Sequence, residues 1–348
     1  MTPTPASPLH AHRRNRPAFT LVEILTATAI MIIIILVMLV ISTETITAYD
    51  GAIANIETTS QARRVQEALQ KDLESAILRD DGNTWIQVEH PAEVGNLTRG
   101  STPHLMLFSP AADRTKREGT RTGRIPGATC AINYQIAQRS PFHNPGEHIQ
   151  QIYGLYRAIA DARATFTTAL PIIIGDTKTG AQGQPPLAFW QGTAEVMDIN
   201  GNRASQNLME WAASAQNFQT TNVVGLTLVF WYFDTETRQM NAITHEENAN
   251  SVREACAKAG LSPRVIPYLG DLKINATQFI VDNNSGAPIK GHLKHIDYAT
   301  TILSPDGAKQ LRGLQHTAKS PRIPAEKFKE ILTAHGFIFT GTANIAGQ

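Results

Sequence analysis

The sequence predicts an α+β fold, in which one long N-terminal helix precedes a domain built mainly of antiparallel β-strands. The first observation is a run of 24 residues, AFTLVEILTATAIMIIIILVMLVI, that contains a single charge. The second is a change in periodicity: beyond Asn83 the helical spacing of apolar residues gives way to short alternating segments. With 348 residues, 42% of them hydrophobic, the chain is long enough to bury a sizeable core.

The apolar run has the length of a membrane-spanning helix. From Phe19 to Ile41 there are about 23 residues, which as a helix measure about 34 Å. Three basic residues precede it, namely Arg13, Arg14 and Arg16. This asymmetry predicts a cytoplasmic N-terminus and an exported C-terminal part. The run is too long for a secretory signal peptide. A plain anchor leaves Glu23 unexplained, because an ionised carboxylate in such a segment costs several kcal/mol on insertion scales.

The segment AFTLVE, with its basic leader, resembles the prepilin peptidase site of type IV pilins and type II secretion pseudopilins. The resemblance implies cleavage between Ala18 and Phe19, N-methylation of Phe19, and pairing of Glu23 with the N-terminal amine of a neighbouring subunit. The family most often has glycine at the position of Ala18. The implied partners are prepilin peptidase, other pseudopilins or pilins of the same filament, and the inner membrane.

The end of the long helix, QARRVQEALQKDLESAI, and the pair YQIAQ and YGLYR resemble J-type minor pseudopilins of type II secretion. The size and layout are also similar to those of cassette proteins of planctomycete and verrucomicrobial type, which carry prepilin leaders. These resemblances imply a pilin-like fold with insertions. They also imply a structural subunit of a type II secretion or type IV pilus-like filament, with no catalysis and no cofactor of its own.

Four segments follow from this reading: a leader (1–18), a membrane part of the helix (19–41), an amphipathic continuation (42–80) and a periplasmic α+β domain (81–348). The continuation shows apolar residues at helical spacing, which should pack on a sheet: Ile46, Tyr49, Ile53, Ile56, Val65, Leu69 and Leu73. The charged residues between them are predicted to face solvent: Arg63, Arg64, Glu67, Lys71, Asp72 and Glu74.

The alternation pattern predicts eight strands: 85–88, 105–108, 131–137, 152–158, 223–233, 272–281, 296–303 and 337–345. The segment 223–233 is nearly all apolar, which is typical of a central strand. Two further helices are predicted, at 251–259 and 325–335. The stretches 110–127, 175–186 and 200–222 are interpreted as insertions.

The charge balance is near zero, with 31 basic and 30 acidic residues, so no electrostatic footprint for nucleic acid is expected. His292, His295 and Asp297 form the densest group of potential metal ligands, but no further ligand lies nearby, and we predict no metal site. Asp80, Asp81 and Asn83 are interpreted as a solvated helix stop in preference to a calcium loop.

The sequence contains two cysteines, Cys130 and Cys256. In an exported protein the alternatives are one disulfide and two separate buried thiols, and spacing alone does not decide between them.

Two classes of function remain. The first is a structural subunit of a pilus-like filament, and the second is a membrane-tethered periplasmic enzyme or binding module. Glu23 favours the first class, because a tether needs no carboxylate within its apolar segment. Secretion, adhesion and DNA uptake are not separated by the sequence.

Overall fold

The fold is given by a computed structural model, which describes residues 20–81, 84–90, 96–110, 116–118, 121–123, 129–139, 152–160, 162–165, 193–197, 203–207, 211–281, 288–317 and 323–345. The chain divides into two compact units, one ending at Ile53 and the other beginning at Ala54. The predicted leader and the insertion 175–186 lie outside the described residues, as do parts of the other two insertions.

Helix α1 spans Leu21–Glu74 and is the first element of the chain. It is the one helix among the described residues that is long and apolar enough to cross a membrane. The large apolar side chains of its first unit, from Leu21 to Ile53, are 45–79% exposed. The prediction of a long, apolar N-terminal helix is confirmed, although the helix ends at Glu74 rather than at the predicted stop.

Among its described residues, the second unit contains three further helices of more than ten residues, α2 (Glu246–Lys258), α3 (Pro305–Thr317) and α4 (Ala325–His335). Its first eight strands are β1 (Ile86–Glu89), β2 (His104–Ser109), β3 (Lys116–Glu118), β4 (Arg121–Gly123), β5 (Cys130–Arg139), β6 (Ile152–Ala160), β7 (Thr193–Met197) and β8 (Arg203–Asn207). The other eight are β9 (Phe218–Thr221), β10 (Val223–Asp234), β11 (Met240–His245), β12 (Val265–Tyr268), β13 (Asp271–Ile274), β14 (Gln278–Val281), β15 (Ile289–Leu303) and β16 (Gly336–Asn344).

Twelve strands form one sheet in the order β12-β11-β10-β15-β14-β13-β1-β2-β5-β6-β9, with β16 added on β15. Neighbours are antiparallel except for the parallel pair β11 and β12. Strands β9 and β10 are far apart in this order but consecutive in the chain, and they are separated only by Asn222, which has a left-handed φ of 64°. The predicted α+β class, a long helix with a mainly antiparallel sheet, is therefore confirmed.

The sheet buries the second part of the predicted helix stripe. Val65, Leu69 and Leu73 are at most 2% exposed and belong to the main core. By contrast, the predicted stripe residues from Ile46 to Ile56 are 45–70% exposed. Burial on α1 begins at Thr58, so the stripe that packs on the sheet is shorter than predicted.

A tyrosine on β15 also reaches α1. The hydroxyl of Tyr298 donates to the backbone oxygen of Gln66 at 3.3 Å. Its ring crosses Gly341 on β16 so closely that a Cβ atom at that position would collide with it. Glycine is thus required at this point for the tyrosine to reach the helix.

Several predicted elements differ from those observed. The predicted strand 272–281 is a hairpin of β13 and β14, because the side chain of Asn275 accepts hydrogen bonds from the backbone of Thr277 and Gln278 and makes a turn. The presumed insertion 200–222 contains β9, which pairs with β6 in the main sheet. The helix α3 was not predicted, although Ser304 and Pro305 are a helix-start signal, and the Ser304 hydroxyl accepts from the backbone N–H of Gly307.

Candidate functional site

Glu23 lies in the first turn of α1, and its carboxylate has a partner within its own chain. Its Oε2 accepts hydrogen bonds from the backbone N–H of Thr20 at 2.9 Å and from the Thr20 hydroxyl at 3.0 Å. In return, Oγ1 of Thr20 accepts from the backbone N–H of Glu23 at 3.3 Å. This reciprocal arrangement is a capping box, and its sequence signature, Thr-x-x-Glu, was available in the sequence.

The capping box leaves Glu23 accessible. Both Thr20 and Glu23 are exposed, so another chain can reach the carboxylate. The pairing with the amine of a neighbouring subunit stays a prediction. The cleavage-site residues Ala18 and Phe19 lie outside the described residues.

Four threonines in the apolar part of α1 and just beyond it donate their hydroxyl groups to the helix backbone. Thr26 and Thr28 donate to backbone oxygens of the preceding turn at 3.0 Å. Thr43 and Thr45 do the same at 2.8 and 2.7 Å. Because each hydroxyl is satisfied by its own helix, these positions carry little cost in lipid or against another apolar helix.

A buried ion pair fixes the other end of α1 to the sheet. Asp72 accepts from Arg157 at both oxygens, with 2.6 Å to Nε and 2.8 Å to Nη2, and the Tyr134 hydroxyl donates to Oδ2 at 2.5 Å. The Asp72 side chain is only 3% exposed. The prediction that Asp72 faces solvent is wrong, because β5 and β6 place a cation and a hydroxyl beneath this turn of the helix.

This arrangement is called the Asp72 clamp below. Burial raises the pKa of Tyr134 well above its usual value, and the adjacent carboxylate raises it further. Burial by itself would lower the pKa of Arg157, but the hydrogen bonds and charge of Asp72 outweigh this and raise it. The tyrosine therefore stays neutral and the arginine charged, as the clamp requires.

A second polar cluster lies where the segment after β1 meets β12. Nδ1 of His90 lies 2.7 Å from the backbone oxygen of Arg99, and Nε2 lies 3.0 Å from the hydroxyl of Tyr268. A neutral imidazole that donates from Nδ1 and accepts at Nε2 satisfies both contacts. The ring of His245 lies 4.2 Å from that of His90.

Burial lowers the pKa of His90 to about 4, and it lowers the pKa of the nearby His104 to about 4 as well. Both histidines are therefore neutral near pH 7.

The groups considered for metal binding have separate partners. Nδ1 of His292 lies 3.2 Å from the oxygen of Ala276, and the ring of His295 stacks on Trp231. Asp297 accepts from Nε1 of Trp231 and Oγ1 of Thr342, at 2.7 and 2.6 Å. Within the described residues, no group of three or more His, Cys, Asp or Glu could hold a metal ion.

The two aspartates of the alternative calcium loop also have separate partners. Asp80 accepts from the hydroxyl of Thr277 at 2.7 Å, whereas Asp81 accepts from Nε1 of Trp85 at 2.8 Å. Asn83 lies outside the described residues. The two carboxylates are thus used to attach the chain after α1 to the sheet domain.

Cys130 and Cys256 do not form a disulfide in the structure. Cys130 lies on β5 and Cys256 on α2, and both are buried. Of the two alternatives left open by the sequence, the structure contains two separate buried thiols.

Comparison of the chain with protein-family models, with curated proteins and with solved structures finds no match in any of the three. The architecture itself, a long apolar N-terminal helix followed by a β-sheet domain, is consistent with that of pilin-like proteins.

Proposed function

We propose that this chain is a structural, prepilin-type subunit that assembles through α1 into a pseudopilus or pilus-like filament. The observation that carries the proposal is an accessible carboxylate, Glu23, at the start of a helix that is otherwise uncharged up to Ile41. A lipid anchor gains nothing from such a group, whereas a subunit can use it to neutralise a neighbouring chain's amine.

Assembly would change the hydrogen-bond partner of the Glu23 carboxylate. In the single chain, the carboxylate is held by Thr20. After cleavage before Phe19, the new amine of a neighbouring subunit supplies a positive charge as well as hydrogen-bond donors. Pairing two charges in an apolar interior offsets the cost of burying each, and leaving either unpaired is costly. The pair would therefore fix the stagger between adjacent helices, as buried polar residues do in coiled coils.

The sheet domain suits a structural role because it is attached firmly to its helix. Within the second unit, the Asp72 clamp, the apolar stripe and the Tyr298 contact all join the part of α1 beyond Ala54 to the strands. The finer assignment that we favour is a minor pseudopilin of a type II secretion system, with the domain in the periplasm.

The test compares two substitutions on α1. Glu23→Val removes the proposed pairing group, whereas Glu44→Val removes an exposed carboxylate of the same helix beyond Ile41. Both chains should insert in the membrane, Glu23→Val more easily than the native chain. We expect Glu23→Val to be lost from the filament fraction and Glu44→Val to be retained. The retained chain should have its N-terminus at Phe19, as measured by mass spectrometry. Normal incorporation of Glu23→Val would instead favour a membrane-tethered enzyme or binding module.

A further inference from the structure

We propose that His245 is a proton-operated cap of α2, so that mild acid frees the N-terminal end of this helix from the short 3-10 turn Arg99–Ser101. The inference is independent of the role proposed for Glu23. It concerns a buried histidine at which strand β11 ends and helix α2 begins.

The imidazole of His245 caps α2 in only one protonation state. Its Nδ1 accepts from the backbone N–H of Glu247 at 3.4 Å, and its Nε2 lies 3.1 Å from the backbone oxygen of Leu269. A neutral ring that donates from Nε2 and accepts at Nδ1 satisfies both contacts. A protonated ring carries a hydrogen on each nitrogen, so it has no lone pair left for the N–H of the helix. Its charge would also oppose the positive end of the helix dipole.

A carboxylate close to Nδ1 of His245 is already in use. Oε2 of Glu247 accepts from the backbone N–H of Gly100 at 2.9 Å, and the side-chain amide of Asn248 donates to the Gly100 oxygen at 3.1 Å. A Cβ atom at Gly100 would lie 2.6 Å from Oε2 of Glu247 and 2.8 Å from Nδ1 of His245, so these two groups converge beside the glycine. A hydrogen on Nδ1 would draw the carboxylate away from Gly100. The cap and the contact with the turn would then be lost together.

The proton is taken up by His245 and not by its neighbour His90. The centroids of the two rings are 4.2 Å apart, so a charge on one ring opposes a charge on the other. Burial lowers the pKa of His90 to about 4, and both of its ring nitrogens have partners in Arg99 and Tyr268. Glu247 supplies an acceptor for the added hydrogen at His245 alone. One proton therefore opens the cap, and His90 stays neutral until the pH approaches 4.

Other charged or titratable groups reach the two rings from α2, from the 3-10 turn and from strands β2 and β13. They are Glu246, Glu247, Arg99, His104 and Asp271. Three of them are carboxylates and one is a guanidinium, which donates from Nη2 to the backbone oxygen of His90 at 3.0 Å. His104 is neutral, because burial lowers its pKa to about 4. The surroundings therefore accept a positive charge on His245.

Helix α2 has few apolar contacts with the sheet. Of its 13 residues, only Ala249 and Cys256 are buried. The small cluster beneath it, built on Ala242, Ala249 and Val265, is separate from the main core. The polar contacts at the start of α2 therefore carry much of its attachment. Their loss should open the first turn of the helix while the sheet stays folded.

The experiment measures amide hydrogen exchange of the full, detergent-solubilised chain by mass spectrometry. Exchange is compared at about pH 7.5 and about pH 5.5, within the range in which histidine titrates, and each rate is divided by the intrinsic rate at that pH. At the lower pH, we expect the protection of the Gly100 amide and of the first turn of α2 to fall about ten-fold, as for loss of one helix cap. Peptides from β10 and β15 should keep their protection.

A matched pair of substitutions identifies the group that takes up the proton. His245→Asn keeps a side chain that caps helices but does not titrate, so protection at α2 should no longer depend on pH. His335→Asn removes a histidine at the end of α4 and should keep the native pH response. If β10 and β15 lose protection in His245→Asn, the variant does not fold, and Glu247→Gln takes its place. Its neutral amide can still accept from Gly100 but does not pair with a charge, so the Gly100 amide should stay protected in acid.

An equal fall in protection in the native chain and in His245→Asn would overturn the proposal, as would full protection of α2 in the native chain at about pH 5.5. A fall that includes β10 and β15 of the native chain would show global unfolding in place of local opening, and would overturn it as well. In the replacement variant Glu247→Gln, a ten-fold fall at Gly100 would have the same effect. None of these outcomes bears on filament assembly through Glu23.

Discussion

Replacing Arg157 with methionine removes the cation that neutralises the buried carboxylate of Asp72. Methionine keeps much of the length of the arginine side chain but cannot donate. Of the three hydrogen bonds that Asp72 accepts in the clamp, only the one from Tyr134 remains. The carboxylate is then a buried charge with no compensating cation.

The expected cost follows from the burial of the pair. Because the Asp72 side chain is 3% exposed, solvent cannot replace the lost donors. Removing one partner of a buried ion pair costs about 3–5 kcal/mol of unfolding free energy. Tyr134→Phe removes one hydrogen bond to a charged group and should cost less, about 1.5–3 kcal/mol. The double variant Asp72→Asn with Arg157→Met removes both charges, so it should be more stable than Arg157→Met alone.

The assay is denaturant unfolding of a fragment that begins at Thr43, which omits the apolar segment and retains the compact unit from Ala54 onward. Free energies are compared at pH 7 for the native fragment, the two single variants and the double variant. A loss below about 1 kcal/mol for Arg157→Met would refute the clamp, since exposed ion pairs contribute that little. A double variant less stable than the single one would show that shape, not charge, dominates at this site.

Two further predictions concern the same fragment. Leu69 is fully buried, so Leu69→Ala should lower the free energy of unfolding by denaturant by about 2–5 kcal/mol. A loss under about 0.5 kcal/mol would mean that the stripe does not pack on the sheet. The pKa values of His90 and His104 are both about 4 in the folded chain, below the usual 6.5. As the pH falls, the unfolded chain therefore binds protons before the folded chain does. The free energy of unfolding should be at its full value above pH 6.5 and fall by roughly 3 kcal/mol per histidine as the pH approaches 4. His104→Gln should flatten this dependence, and an unchanged slope between pH 6.5 and 4 would contradict the assignment.

The sequence by itself determined the helix and its capacity to cross a membrane. Local information is sufficient there, because length, apolar composition and helical spacing act within one segment. The same holds for α4, whose predicted bounds, 325–335, coincide with those observed. The capping box of Thr20 and Glu23 is equally local, because its Thr-x-x-Glu signature lies within one turn of the helix.

Only the tertiary structure decided which residues meet across the sheet. Asp72 has the charge of a solvent-facing residue, although it lies three residues after Leu69, on the buried face of the helix. Nothing nearby in the sequence identifies its partners, which lie 62 and 85 positions further along the chain. The same is true of β16, whose alternation predicts a strand but not that it lies at an edge. Strand order and the burial of charge depend on contacts between segments that are distant in the sequence. These contacts stabilise the chain only after the entropic cost of closing the intervening loops has been met. The sequence therefore predicts the helix from local residues, whereas the strands that pack against this helix are identified only by the folded structure.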